Sequence, residues 1–351
     1  MAEKIKKITG MRLFMSIVCL FIVLLVNVIR TPDFFNITLK DGQLSGWLID
    51  VINRGSELVI LAIGMTLVTA ASGGQDISVG AVMAVAAAVC CQILSGGEVS
   101  TNTLAAPIII AAIAGILVAA LCGAFNGFLV AKLNIQPMVA TLILFTAGRG
   151  IAQLVTQGQI TYVRVESYKA MGGFLGPIPT PVIFAVAAVI VAYLVLNKTA
   201  LGMYIESVGI NSHASRLIGL NSTRIKFLTY VICGALAGLA GIVASSRIYS
   251  ADANNIGLNL EMDAILAVAL GGNILSGGKF SLMGSVIGAY TIQALTTTLY
   301  AMSVPSDQLP VYKAIVVIII VVLQSPVYKK AMQNYKAKRQ SKKAVVQGGE
   351  Q

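Results

Sequence analysis

Apolar runs about as long as a bilayer is thick constrain this chain most. Residues 104–131, for example, carry no acidic or basic side chain. About 20 apolar residues in a helix cross the ~30 Å hydrocarbon layer, and buried strands are far shorter than these runs. Lipid offers the backbone no hydrogen-bond partners, so the segments must be helices. Spans are expected at about 13–30, 56–71, 77–95, 104–131, 138–157, 181–196, 227–246, 262–275, 281–302 and 310–325. The expected fold class is therefore all-α: a polytopic membrane helix bundle of about ten transmembrane helices. Composition agrees, with 57% hydrophobic and 11% charged residues and a mean hydropathy of +0.85. Soluble domains average about 25% charged residues, enough to face water, and this chain does not approach that.

The net charge of +11 lies mostly in the tails, with Lys4, Lys6, Lys7 and Arg12 at one end and seven basic residues from Lys329 to Lys343 at the other. Both clusters flank apolar runs. They therefore read as cytoplasmic ends of membrane helices and not as nucleic-acid arms. Residues 13–29 have the basic front and apolar middle of a signal peptide. The run is long for one and has no Ala-x-Ala-like exit, so it is expected to stay as the first span. Residues 326–351 are expected to form a basic, disordered cytoplasmic tail. Cys19, Cys90, Cys91, Cys122 and Cys233 lie in apolar runs without metal spacing, and His213 is the only histidine. Neither a metal centre nor a catalytic acid–base or nucleophile–base pair is in view, so the chain is not expected to be an enzyme.

One short skeleton interrupts the runs twice. Ser72-Gly73-Gly74, five residues, then Gly80-Ala81-Val82 is echoed by Ser276-Gly277-Gly278, five residues, then Gly284-Ser285-Val286. The expected eighth span, about 262–275, is too short for a full crossing, so two glycine-broken or re-entrant segments are expected. Unwound backbone at membrane depth is tolerated only inside protein or beside a wet cavity. Asp76 sits where a helix restarts. It either caps that helix or meets a passenger, and the sequence leaves both open. Gly272 to Phe280 resembles a phosphate-binding loop only superficially, because Lys279 does not follow the second glycine of such a pattern and no Ser or Thr follows it.

Arg149 lies within the fifth span, and an intramembrane charge is costly unless it is paired or functional. A structural role is favoured, paired with a carboxylate such as Asp76, Glu261 or Asp263. The amides Asn126, Gln136, Gln153, Asn273 and Gln293 suit either a hydroxyl-rich passage or interhelical hydrogen bonds. Gly123 and Gly127 form a GxxxG, which is expected to pack inside one subunit. Residues 31–54 read as a polar connection and 158–180 as an exposed loop. Residues 197–226 hold the longest charged segment between spans. A short helix pair is expected there, with Asn211 or Ser212 capping the second helix and Gly219 ending it. Such a loop suits docking of a soluble partner.

Taken together, several of these motifs resemble one family. They are Leu61-Ala62-Ile63-Gly64-Met65-Thr66 running into Ser72 through Gly80, Arg149-Gly150, Val208-Gly209-Ile210-Asn211 with Gly219, Glu261 through Val268, Gly271-Gly272, and Ser276-Gly277-Gly278. In this order, over roughly residues 45–325, the chain resembles the inner-membrane permease subunits of bacterial sugar ABC importers. Asn134-Ile135-Gln136-Pro137 and Ala251 through Asn255 look most like the galactofuranose-type branch. Gln75 and Asn273-Ile274 depart from the family's usual residues.

The resemblance implies a multi-pass protein of a bacterial cytoplasmic membrane with both termini cytoplasmic. Two permease subunits would form the path for a monosaccharide-type sugar. A separate cytoplasmic ATPase would use ATP, an extracytoplasmic sugar-binding protein would deliver substrate, and this chain would bind no cofactor. The path would be bordered by Ser72, Gly73, Gly74, Gln75, Asp76, Ser78 and Gly80, by Asn126, and by Asn273, Ser276, Gly277, Gly278 and Gly284. Glu206, Gly209, Asn211, Ala214 and Gly219 would shape the coupling element, with Arg149 and Asp263 as structural charges. An ion-coupled secondary transporter is the alternative. Few intramembrane acids and a large docking-type loop argue against it.

Overall fold

The computed structural model of the chain describes residues 12–40 and 42–324. The basic residues before Arg12 and the tail after Gln324 lie outside them. Residues up to Met302 form one unit. Its helices are α1 (Arg12–Arg30), α2 (Trp47–Ser72), α3 (Val79–Ser95), α4 (Ile108–Ala131), α5 (Pro137–Val155), the short α6 (Glu166–Lys169), α7 (Thr180–Lys198), α8 (Leu201–Ile210), α9 (Ser212–Leu217), α10 (Ser222–Arg247), α11 (Leu260–Leu270) and α12 (Leu282–Ala301). A second unit begins at Ser303 and holds α13 (Leu309–Gln324). Among the described residues, five helices, α2, α4, α5, α7 and α10, are long and apolar enough to cross a membrane by length and composition.

The core is built around α2, which is buried for almost its whole length and packs against α7, α8, α10, α11 and α12. It runs antiparallel to α12. Thr66 meets Ser285 through their hydroxyls at 2.6 Å, while toward the other end Gly55 faces the Tyr290 ring. Helix α2 begins at Trp47, nine residues before the expected 56. Its first turns carry Asp50, Asn53, Arg54 and Glu57, whose polarity hides the helix from a hydropathy reading. Asn53 and Glu57 are served by Arg247 at the end of α10. Its Nη2 lies 2.8 Å from Glu57 Oε1 and donates to the Asn53 side-chain oxygen at 3.2 Å.

Helix α4 starts later than the expected 104, because Pro107 precedes it in extended backbone. Its Gly123 and Gly127 pack on Tyr230, Gly234 and Phe227 of α10. The GxxxG therefore works within the subunit, as close helix approach in lipid requires small residues. Residues 158–180 are more than an exposed loop. They supply β4 (Thr161–Val163), which pairs with β3 (Ser100–Thr101) in parallel and β7 (Ser250–Ala251) antiparallel, and a β5–β6 hairpin (Phe174–Leu175, Ile178–Pro179). They also insert Tyr168, fully buried, whose hydroxyl meets Ser245 Oγ at 2.5 Å. A further hairpin, β1 (Thr38–Lys40) with β2 (Gln43–Ser45), precedes α2.

Candidate functional site

The two Ser-Gly-Gly breaks pack directly against each other, and a third glycine closes the junction. Helix α2 ends on Gly73, whose φ of +67° favours glycine and whose N–H donates to Thr69 O at 3.0 Å. Gly277 and Gly278 both hold φ of +94°, and the Gly278 N–H donates to Ala70 O at 2.9 Å. A Cβ on Gly73 would sit 2.8 Å from the Ser276 carbonyl oxygen. A Cβ on Gly209, in α8, would collide with the Ala70 carbonyl and the Gly278 nitrogen. Three segments far apart in sequence thus meet backbone to backbone, with no room for a methyl group. Gly74 is equally confined, because its missing side chain is replaced by the Pro137 ring at the start of α5. Gly74→Val should displace Pro137. The expected result is loss of uptake and a lower thermal midpoint in detergent, and wild-type values for both would show the confinement to be unimportant.

Beyond Gly74 the backbone stays unwound until α3 begins at Val79. Asp76 is 2% exposed. Its Oδ1 accepts from the Ser78 N–H at 2.9 Å and the Ser78 hydroxyl at 2.6 Å, while Asn126 Nδ2 donates to Ser78 Oγ at 2.8 Å and lies 3.4 Å from both carboxylate oxygens. Asp76 therefore satisfies a free N–H just ahead of α3, and the fully buried Asn126 holds it from behind. Ser72 Oγ lies 3.4 Å from the Tyr230 hydroxyl, at the edge of this cluster. Gln75 is half-buried between Gly74 and Asp76.

The second break is tied differently. Asn273 accepts from the Ser281 N–H at 2.6 Å and donates to Ser285 Oγ at 2.7 Å, and that hydroxyl also meets Thr66. Ser281 caps α12 by accepting from the Gly284 N–H. Asn273 and Asn126 are thus interhelical ties. Gly284 faces the Gly271 backbone, and Gly80 faces the Glu261 carboxylate and the Gly257 carbonyl. Helix α11 begins at Leu260 and has 11 residues, shorter than the expected 262–275. It is preceded by an unwound segment, 252–259, that the sequence reading missed. The Asp-Ala-Asn-Asn turn at its start, with the Asp252 carboxylate accepting from the Asn254 and Asn255 N–H groups, was the available signal.

Arg149 is held differently from the expected carboxylate pairing. Its Nη1 donates to the carbonyls of Ala253 and Ile256 at 2.9 and 2.5 Å. Unwound backbone leaves carbonyls without helical partners, and a guanidinium fork can serve two of them at once. Asp76 is taken by Ser78 and Asn126. Glu261 lies within electrostatic reach of Arg149, and Asp263 is buried in the first turn of α11.

The expected helix pair is present as α8 and α9. Asn211 Oδ1 caps α9 by accepting from the His213 and Ala214 N–H groups at 3.0 and 2.9 Å, and Gly219, with φ of +87°, follows its end. Glu206 is half-buried and Ala214 exposed. Met203, Ile210, Leu217 and Ile218 are apolar yet 64–80% exposed on this element. Near the α2 start and α10 end, a polar cavity of about 350 Å³ is lined by Asp50, Asn53, Arg54, Glu166, Lys169 and Arg247 among others. Among the described residues, no group of three or more His, Cys, Asp or Glu gathers to hold a metal ion. The arrangement offers hydrogen bonds and tightly packed backbone junctions.

Comparison with known proteins matches this geometry to transport. Residues 47–324 match the family described as branched-chain amino acid transport system / permease component. The chain is 47% identical over 311 residues to the galactofuranose transporter permease protein YtfT of Escherichia coli (strain K12), covering 88% of this chain and 89% of that protein. It is 39% identical over 342 residues to the fructose import permease protein FruF of Bifidobacterium longum (strain NCC 2705), covering 95% and 94%. It is 33% identical over 315 residues to the ribose import permease protein RbsC of Escherichia coli (strain K12), covering 88% and 92%. From residue 47 to residue 324, this chain belongs to the branched-chain amino acid transport system / permease component family.

Proposed function

We propose that this chain is the permease subunit of an ATP-driven importer that moves a monosaccharide-type sugar into a bacterial cell across its cytoplasmic membrane. The observation that carries the reading is the junction at Gly209, where the loop helix α8 abuts the last turn of α2, just ahead of the first glycine break, and the second break at Gly278. Import of galactofuranose, fructose and ribose by relatives of nearly full length supports the sugar class, over the amino acids of the family's description.

The chain crosses the membrane ten times in this reading. Helices α1, α2, α3, α4, α5, α7, α10, α11, α12 and α13 make the crossings, and unwound segments 73–78 and 252–259 complete the short α3 and α11. Both termini face the cytoplasm, where the excess of tail Lys and Arg belongs. The 197–226 loop then faces the cytoplasm as well. A separate ATPase docks on its exposed apolar residues, a binding protein delivers sugar at the outer face, and a second permease subunit completes the path. Movement of α8 pushes on Ala70 and Gly278 together, so docking is converted into motion of both breaks.

Co-expression with a candidate ATPase of a sugar importer tests the assembly. The expected result is a co-purifying complex that hydrolyses ATP, which Leu217→Asp together with Ile218→Asp dissolves. An assembly indifferent to those two charges would overturn the docking assignment.

A further inference from the structure

Between β7 and α11 the backbone is neither helix nor strand. Segment 252–259 runs from the β3–β4–β7 sheet inward until Gly257 lies against Gly80, two residues into α3. Along its length it lies beside α5: Gln153 Nε2 donates to Asn254 Oδ1 at 2.6 Å, and one turn deeper Arg149 holds the carbonyls of Ala253 and Ile256. The segment therefore enters the bundle as a series of turns, with a single helical-type bond from Ile256 N–H to Asp252 O at 3.1 Å.

Its outward face is polar. Gln153, Asn254, Asn255 and Asn259 are all exposed. Exposed amides and irregular backbone do not face hydrocarbon; at this depth they line water or meet protein. The ties within the segment use only part of each amide. Asn255 Nδ2 donates to Asp252 Oδ2 at 2.7 Å, leaving its oxygen, and Asn254 keeps its amide nitrogen. Uncharged amides that both donate and accept match hydroxyl groups, which do the same. Leu258 and Met262, each about half exposed, supply apolar surface beside them for the C–H faces of such a passenger. Beneath the face, Glu261 Oε2 and Arg149 Nη2 are buried without a hydrogen-bond partner. Buried ionisable atoms left unspent mark a place built for water or ligand hydroxyls.

We propose that segment 252–259 with Gln153 is the hydroxyl-contacting wall of the translocation path, and that Asn254, Asn255 and Asn259 sort passengers. This moves the passenger's contacts away from the Ser-Gly-Gly breaks, which pack on each other. It rests on the sugar-import reading above.

The test uses the complete transporter in cells. Asn255→Cys and Asn259→Cys are labelled with a membrane-impermeant maleimide, beside Leu121→Cys, an exposed apolar position on α4. Water-borne labelling of the two asparagine positions but not of position 121 is expected. Uptake of labelled galactose, ribose and fructose is measured for Asn255→Leu and Asn259→Leu. A fall of about tenfold in maximal rate is expected, the effect of one unpartnered hydrogen-bonding group, and it should differ between sugars. Cysteines that stay unlabelled, or that cross-link two copies while uptake is unchanged, would overturn the proposal alone. A wild-type transporter that moves none of the three sugars would overturn the import reading and the proposal with it.

Discussion

Replacing Gly209 with alanine is expected to stop ATP-driven uptake. Its φ lies outside the left-handed region, so a side chain meets no conformational penalty there and the effect is steric alone. The added methyl would occupy the space of the Ala70 carbonyl and the Gly278 nitrogen. Both are backbone atoms tied to each other by the Gly278 to Ala70 hydrogen bond at 2.9 Å, and neither can swing aside as a side-chain tip would. Overpacking of this kind costs about 1–3 kcal/mol in well-packed interiors. That is enough to lower the thermal midpoint by several degrees without unfolding the bundle. The effect on transport is expected to exceed tenfold, because at this junction α8 abuts both the last turn of α2 and the second break. Gly219→Ala is the contrasting case. Its surroundings are open, and only the φ of +87° penalises a side chain, by about 1–2 kcal/mol confined to an exposed turn. Equal, mild effects at both positions would mean that the junction carries no motion.

The second large effect is expected at Asp76. Its carboxylate accepts from the Ser78 N–H and the Ser78 hydroxyl, with the Asn126 amide close by, and all three residues are buried. Asp76→Leu leaves those donors buried without an acceptor, at about 1–3 kcal/mol for each. Little folded protein should accumulate in the membrane. Asp76→Asn keeps one side-chain oxygen for Ser78 and should accumulate at near wild-type level. Quantifying membrane-inserted protein and uptake in parallel separates the two readings of Asp76. If Asp76→Asn accumulates and transports, the residue is a helix-start tie. If it accumulates and does not transport, the charge itself meets the passenger. Normal accumulation of Asp76→Leu would contradict the hydrogen-bond account.

The helix bundle was largely legible in the sequence because lipid forces long apolar runs to be helical, and most boundaries fall within a few residues of the expected ones. The misplaced start of α2 has a specific cause. Asp50, Asn53, Arg54 and Glu57 look like loop residues, and the Arg247 that serves Asn53 and Glu57 lies nearly 200 positions away. Tyr168 was hidden for the same reason, since its partners Ser245 and Cys91 come from other helices. The glycine breaks were visible as interruptions, but spacing cannot say that they touch each other or that Gly209 seals them. Arg149 stood out in the sequence as a lone charge within an apolar run, and in the structure its guanidinium holds two backbone carbonyls. Its carbonyl partners were not foreseen, because carbonyls freed by unwound backbone have no signature of their own, while Glu261, one of the carboxylates expected, lies within its electrostatic reach. Asn211 and Gly219 were found because caps and helix ends are local, and local chemistry is written in adjacent residues.

The account stands most directly on what drives transport. Proteoliposomes holding this chain with the proposed ATPase and binding-protein partners, loaded with ATP on the ATPase side, should accumulate sugar in the presence of a protonophore. Omission of ATP or of the binding protein should abolish that uptake. Uptake by this chain alone, driven by an ion gradient and collapsed by the protonophore, would contradict it.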